Sequence, residues 1–264
     1  MREKLVSDPE CTVEAVIDGA IGRITLNRPD RMNAVTVALA SELAAALREL
    51  GARPDVNVIV IRGSGGNFCA GGDFDEVERL REQGPAALKL LFTEFRRACD
   101  TVAEIDVPVV AVVDGIAAAG GFELMQAADI VLVSATARIS DNHIRFGMIP
   151  GGGSTARLPR LIGRQQALAT LLSGDRLSGR DAVDRGLAYR SYPAEDFERE
   201  VEAFLGELAG RSRQAITAIK RLVGTGLRGS LDAALDNETD AVVRHIIGCG
   251  ASSAAAFDSR EGRV

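Results

Sequence analysis

Two short apolar runs, residues 56–61 and 107–113, each lead into a cluster of glycines, and this pairing limits the fold more than any other feature of the chain. A run of Val and Ile without polar alternation has no face to give to water. It reads as a strand buried on both sides, which implies a parallel sheet covered by helices. The first run leads into Gly63-Ser64-Gly65-Gly66-Asn67-Phe68-Cys69-Ala70-Gly71-Gly72-Asp73, and the second into Asp114-Gly115-Ile116-Ala117-Ala118-Ala119-Gly120-Gly121. Residues 130–133 form a third such run.

Between these runs the period changes. Val37, Ala40, Leu43, Ala44 and Leu47 recur at helical spacing, predicting a helix from Thr36 to about Leu50. A longer helix is predicted over 85–104, and another from the glycines near 120 to about 128. Residues 13–27 read as two short strands joined through Gly19-Ala20-Ile21-Gly22. Beyond Gly151-Gly152-Gly153 the chain reads mainly as helix to about residue 247, and from Gly248 onwards the signal is weak. Strand, glycine loop and helix in repetition predict an α/β core over 1–195, with a helical C-terminal region over 196–264 suited to oligomerisation and to covering a pocket.

Composition excludes several classes of function. The 31 Lys and Arg are interleaved with 37 acidic residues for a net charge of −6, so no nucleic-acid footprint is expected. Cys11, Cys69, Cys99 and Cys249 form no CxxC pair, which argues against a zinc or redox motif and fits free thiols in a reducing compartment. The N-terminal residues lack the apolar stretch of a secretory signal, and no run of apolar residues is long enough to span a membrane. A cytoplasmic, soluble protein is the expectation.

The usual chemistries of glycine loops do not fit. The phosphate-binding pattern GxxxxGK[ST] and the nucleophile elbow GxSxG are absent. A GxGxxG match at Gly224-Thr225-Gly226-Leu227-Arg228-Gly229 follows a predicted helix instead of a strand, so it reads as a helix–helix connection. What remains is two glycine loops, each leaving a buried strand and preceding a helix start, where free N–H groups project from the helix end. Converging amides would hold an oxyanion, worth roughly 3–4 kcal/mol per donor in a dry site. The same glycines also suit plain turns, and the sequence leaves both readings open.

Several motifs, in order and in register from about residue 11 to 225, resemble the signatures of the crotonase (enoyl-CoA hydratase/isomerase) family. They are Asn27-Arg28-Pro29 with Asn33-Ala34; Phe68 to Asp73; Pro108 to Gly115; Ala119-Gly120-Gly121-Phe122-Glu123-Leu124 with Asp129; Gly147-Met148-Ile149-Pro150-Gly151-Gly152-Gly153; and Ser173-Gly174-Asp175-Arg176-Leu177-Ser178. The resemblance implies a spiral of ββα units, a trimer or dimer of trimers, and a coenzyme A thioester substrate with no separate cofactor or metal. It implies that the N–H groups of Gly72 and Gly120 hold the thioester oxygen.

By the same resemblance Glu123 matches the first of two catalytic glutamates, while the second falls at His143, a departure from the family pattern. A histidine transfers protons near neutral pH as readily as a glutamate. The Glu123/His143 pair therefore suits addition of water to an enoyl-CoA, with hydrolysis, isomerisation, decarboxylation or mere CoA binding as alternatives. Asp141 is placed to orient His143 or to be solvated, and Asp73 to cap a helix. Arg28, Arg31 and Lys220 are expected near the CoA phosphates, with Cys69, Ala70 and Asp73 along the adenine and pantetheine. The acyl pocket is expected from a variable loop after Asp73 and the C-terminal helices. Residues 167–172 read as helix core and His245 as a helix-end cation.

Overall fold

The computed structural model describes residues 2–4 and 11–249, side chains being described for 11–248. In chain order the elements are β1 (Arg2–Lys4), β2 (Val13–Asp18), β3 (Ile21–Leu26), α1 (Val37–Ala52), β4 (Val58–Gly63), α2 (Phe74–Glu82), α3 (Pro85–Glu104), β5 (Val109–Val113), β6 (Ile116–Ala118), α4 (Gly120–Ala127), β7 (Ile130–Ser134) and β8 (Arg138–Ser140). They continue with α5 (Ser154–Ile162), α6 (Arg164–Ser173), α7 (Gly179–Asp184), β9 (Arg190–Tyr192), α8 (Phe197–Ala209), α9 (Arg213–Gly226) and α10 (Leu231–Cys249).

Seven strands form one sheet in the order β1-β2-β3-β4-β5-β7-β9. The first three are antiparallel and the rest, from β3 on, are parallel. A second, smaller sheet pairs β6 with β8. The chain therefore visits the large sheet, then the small one, then a helix, and repeats: β5-β6-α4 is one such turn. This is the spiral that the sequence resemblance implied.

The apolar runs have no polar face because both faces of the sheet are covered. Ile59, Ile61, Val109, Ala111, Val113, Val131 and Val133 pack into one core with α1, α3 and α4. Their neighbours Val58, Val60, Val110, Val112 and Leu132 point the opposite way, onto Phe197, Val201 and Leu205 of α8. Side chains alternate across a strand, so a strand between two helical layers must be apolar at every position. Helix α8 thus packs on the sheet, although the sequence reading grouped it with the C-terminal helices. The described residues divide into two compact units, the first ending at Arg211 and the second beginning at Ser212 with α9 and α10.

Five elements escaped the periodicity reading. Strands β1, β6, β8 and β9 are three residues each, too short to show a period. The variable loop expected after Asp73 is instead helix α2, with Asp73 at its N-cap accepting from the Glu76 N–H. The GxGxxG stretch spans the end of α9 and the turn into α10. Among the described residues no helix is long and apolar enough to cross a membrane.

The two sheets are joined at one tight place. The first glycine loop runs beside β6, with Cys69 N–H donating to the Ile116 carbonyl and Ala118 N–H to the Cys69 carbonyl, each at 3.0 Å. A Cβ on Gly121 would lie 2.0 Å from that Cys69 oxygen, so only glycine lets α4 start there. Replacing Gly121 by Ala is expected to destabilise by about 3 kcal/mol, lowering Tm by about 6–12 °C. Gly206, in α8 with open space at its Cβ position, is the control. Its Ala variant is expected to be neutral or slightly more stable. Thermal melts of both variants check this, and equal melting temperatures would contradict it.

Candidate active site

The first glycine loop lies between two neighbours. On one side Ala70 N–H donates to Met32, Val35 N–H to Gly71 and Asp73 N–H to Val35. On the other side Cys69 pairs with Ala117. Successive groups of an extended chain face opposite ways, so the Gly72 N–H, flanked by two residues bonded to Val35, faces the β6 side. There β6 ends at Ala118, and Ala119 turns the chain into α4 at φ 47°, held by a bond from its N–H to the Ser140 carbonyl. A non-glycine residue at positive φ costs of order 1–3 kcal/mol and is held only by a surrounding structure that fixes it. A Cβ on Gly71 would lie 3.2 Å from the Gly120 nitrogen, so the two loops touch. Among the described residues neither the Gly72 nor the Gly120 N–H donates to a protein acceptor. Both glycines line the same cavity of about 490 Å³.

Asn33 locks the first loop in place and explains the Asn-Arg-Pro motif. Fully buried, it accepts from the Arg28 N–H and donates to the carbonyls of Ser64 and Asn67. Asp129 does similar work on the second unit of the spiral, its carboxylate accepting from the Val109 N–H at 2.7 Å.

Glu123 sits one turn into α4 and is 2% exposed. Its Oε1 accepts the N–H groups of Gly152 at 2.7 Å and Ser154 at 3.0 Å. The triple-glycine loop thus holds one oxygen of the carboxylate, and Oε2 takes no protein hydrogen bond among the described residues. Burial raises the pKa of Glu123 above its ordinary value, opposed by the Ser154 and Gly152 N–H groups and by His143.

His143 opens a short 3-10 turn and lines the same cavity. Its Nδ1 lies 2.7 Å from Oδ1 of Asp141, whose side chain is 1% exposed. Burial alone would lower the pKa of His143. The hydrogen bond and charge of Asp141, with the field of Glu123, outweigh burial and raise it. Of the two readings left open for Asp141, solvation is excluded and orientation of the ring is what the structure shows. With Nδ1 bonded to a carboxylate it carries the proton, and Nε2 is left as the acceptor. Oδ2 of Asp141 and Oδ1 of Asn142 are buried without a hydrogen-bond partner, an unusual pair of unsatisfied atoms beside one ring.

The remaining candidate residues are placed unevenly. Ala70 lines the cavity. Cys69 does not: its side chain is fully buried and its thiol is pushed up to about 12 by desolvation, so it is a packing residue. Arg28 is committed internally, to Asp73 at 2.7 Å and to the Ala34 carbonyl. That ion pair, with the α2 N-cap, also occupies Asp73. Burial acts to raise the pKa of Asp73, but the Arg28 hydrogen bond and the Glu76 N–H outweigh it and lower it. Arg31 pairs with Asp75 on the surface at 2.8 Å. Lys220 and His245 lie on α9 and α10, in the second unit.

The sequence reading missed the apolar wall: Phe74 and Val77 of α2, Leu91, Phe92 and Phe95 of α3, Phe146 at the end of the 3-10 turn and Met148 beyond it. The Asp73-x-x-Glu76 capping pattern was the available signal for α2. No group of three or more metal-ligating side chains occurs among the described residues.

An α/β spiral that brings two glycine loops, a buried carboxylate and a carboxylate-backed histidine to one cavity is the framework of an enzyme. The family model for enoyl-CoA hydratase/isomerase matches residues 16–247. A probable enoyl-CoA hydratase of Rhodobacter capsulatus is 33% identical over 224 residues, covering 85% of each chain. The mitochondrial enoyl-CoA hydratase of Pongo abelii is 33% identical over 81% of this chain and 72% of its own. Among solved structures, an enoyl-CoA hydratase from Polaromonas sp. superposes with a TM-score of 0.89 at 28% identity, covering 94% of this chain and 97% of the other. The chain belongs to the enoyl-CoA hydratase/isomerase family.

The electrostatics of Glu123 can be read from stability. Its pKa is raised in the folded protein, so its contribution is fully present below the ordinary carboxylate value and is lost as pH rises through the folded pKa. Glu123→Gln keeps an oxygen for the Gly152 and Ser154 N–H groups but removes the buried charge. It is expected to melt above the native protein at pH 8, with the gap closing as pH falls towards 4.5. A constant gap, or a less stable variant at pH 8, would contradict the assignment.

Proposed function

We propose that this enzyme adds water across the conjugated double bond of an enoyl-CoA thioester, and removes it in reverse. The observation that carries the proposal is the meeting of four groups at one cavity: the amides of Gly72 and Gly120, the Glu123 carboxylate and the His143 ring. The amides receive the thioester oxygen. As water attacks the β-carbon, the π electrons move to that oxygen, and backbone donors fixed by the fold stabilise the enolate without reorganising.

Glu123 and His143 hold the water between them and carry a single proton for the pair. One takes a proton as the C–O bond forms, and the other gives a proton to the α-carbon when the enolate collapses. The product is a 3-hydroxyacyl thioester, and the pair regains its starting protonation. Coenzyme A enters with the substrate, and the step as written needs no other cofactor. A trimer or dimer of trimers belongs to the same proposal. Its support is the set of large apolar side chains exposed on the C-terminal helices, Val223, Leu231, Ile246 and Ile247 among them.

A pair sharing one proton gives a bell-shaped pH profile whose limbs belong to the pair. Glu123→Gln and His143→Ala are each expected to lower kcat for crotonyl-CoA by roughly 10²–10⁴-fold, followed as loss of the enone absorbance. In Asp141→Asn the alkaline limb should move to lower pH, because Asp141 is what holds the His143 pKa up. An unchanged alkaline limb, or full activity in either single variant, would overturn the pair.

A further inference from the structure

The geometry points to an uncharged, aromatic acyl group as the preferred cargo of this cavity, an inference that rests on the acyl-CoA reading above. Four of the nine phenylalanines of a chain without tryptophan, Phe74, Phe92, Phe95 and Phe146, line this one cavity. Core packing accounts for Phe95, which belongs to the main apolar core, and not for the exposed rings. Only Phe95 is buried, while Phe74 and Phe146 are 68% and 71% exposed, so folding gains little from placing rings there.

The rings of Phe92 and Phe95 have a seat prepared for them. A Cβ on Gly151 would lie 2.4 Å from the Phe92 ring, and one on Gly152 would lie 2.2 Å from the Phe95 ring. The loop that donates N–H groups to Glu123 is therefore the loop against which two of the aromatic walls rest. The rings are held at a fixed place relative to the reacting carboxylate. Aromatic walls favour an aromatic guest beyond the area it buries, because ring edges and faces attract one another in offset or edge-to-face contact.

The charge of the wall selects as well. Among the described residues Glu123 and His143 are its only titratable side chains, and no Lys or Arg lines it. A distal carboxylate on the acyl group would be desolvated with no Lys or Arg to pair it, and would share the cavity with Glu123. Dicarboxylyl thioesters are therefore disfavoured, and a planar aryl group close to the reacting bond is favoured.

Binding of saturated thioesters tests this without turnover. By titration calorimetry, 3-phenylpropanoyl-CoA is expected to bind roughly tenfold tighter than 3-cyclohexylpropanoyl-CoA, which matches it in size but lacks the ring electrons. Glutaryl-CoA should bind more weakly than both. The phenyl preference should shrink towards one in Phe92→Leu and in Phe74→Leu, the latter altering only an exposed side chain. Equal or tighter binding of the cyclohexyl or glutaryl thioester would overturn the inference. So would a preference that survives both substitutions. Failure of every thioester to bind would sink the acyl-CoA reading together with it. A phenyl preference without hydration of cinnamoyl-CoA would uphold the aromatic pocket and remove only the hydratase assignment.

Discussion

The site depends on one backbone contact, the approach of the first glycine loop to the start of α4. The Cys69 carbonyl lies where a Gly121 Cβ would be, and Gly71 abuts Gly120. Without that approach the Gly72 and Gly120 amides would serve two separate turns. With it they face one cavity. The large sheet supplies the rigidity: β4 and β5 are paired side by side and buried on both faces, so the loops leaving their ends are fixed relative to each other. Asn33 then ties the first loop to the segment before α1, and the strained Ala119 turns the second into its helix.

Against this fixed frame the two titratable groups of the cavity, Glu123 and His143, are tuned by different physics. Glu123 is raised chiefly by burial, with two backbone N–H groups limiting how far. His143 is raised by its charged neighbour Asp141 in spite of burial. Both shifts are upward, so each group holds its proton to a higher pH than it would in water. A histidine in the second position needs a partner that a glutamate would not, because its two nitrogens must be told apart. Asp141, two residues earlier and almost fully buried, supplies that distinction.

Much of this was legible in the chain because the constraints were local. The apolar runs at 56–61 and 107–113 had to be covered strands, while the glycines after them left close approach and plain turns equally open. The position of Glu123 one turn after Gly120 was legible as a shared helix face. The pairing of Gly72 with Gly120 at one cavity was not, since it depends on the three-residue strands β6 and β8, which are too short to carry a period. Helix α2 was hidden because Val77 and Leu80 are its only aliphatic side chains in a strongly charged segment. The commitment of Arg28 to Asp73 was equally invisible, because a surface arginine and an ion-paired one look alike in sequence. The role of the triple glycine depends on the tertiary fold, which brings the Gly152 N–H, with that of Ser154 beside it, onto Glu123.

The most direct test of the account is the fate of solvent oxygen. Crotonyl-CoA turned over in oxygen-18 water should give an intact thioester bearing the heavy oxygen at C3, located by mass spectrometry of the product. The label in a free carboxylic acid would show a hydrolase, and an unlabelled shifted double bond an isomerase. Either result would contradict the claim that Glu123 and His143 deliver water to an enoyl-CoA held by the Gly72 and Gly120 amides.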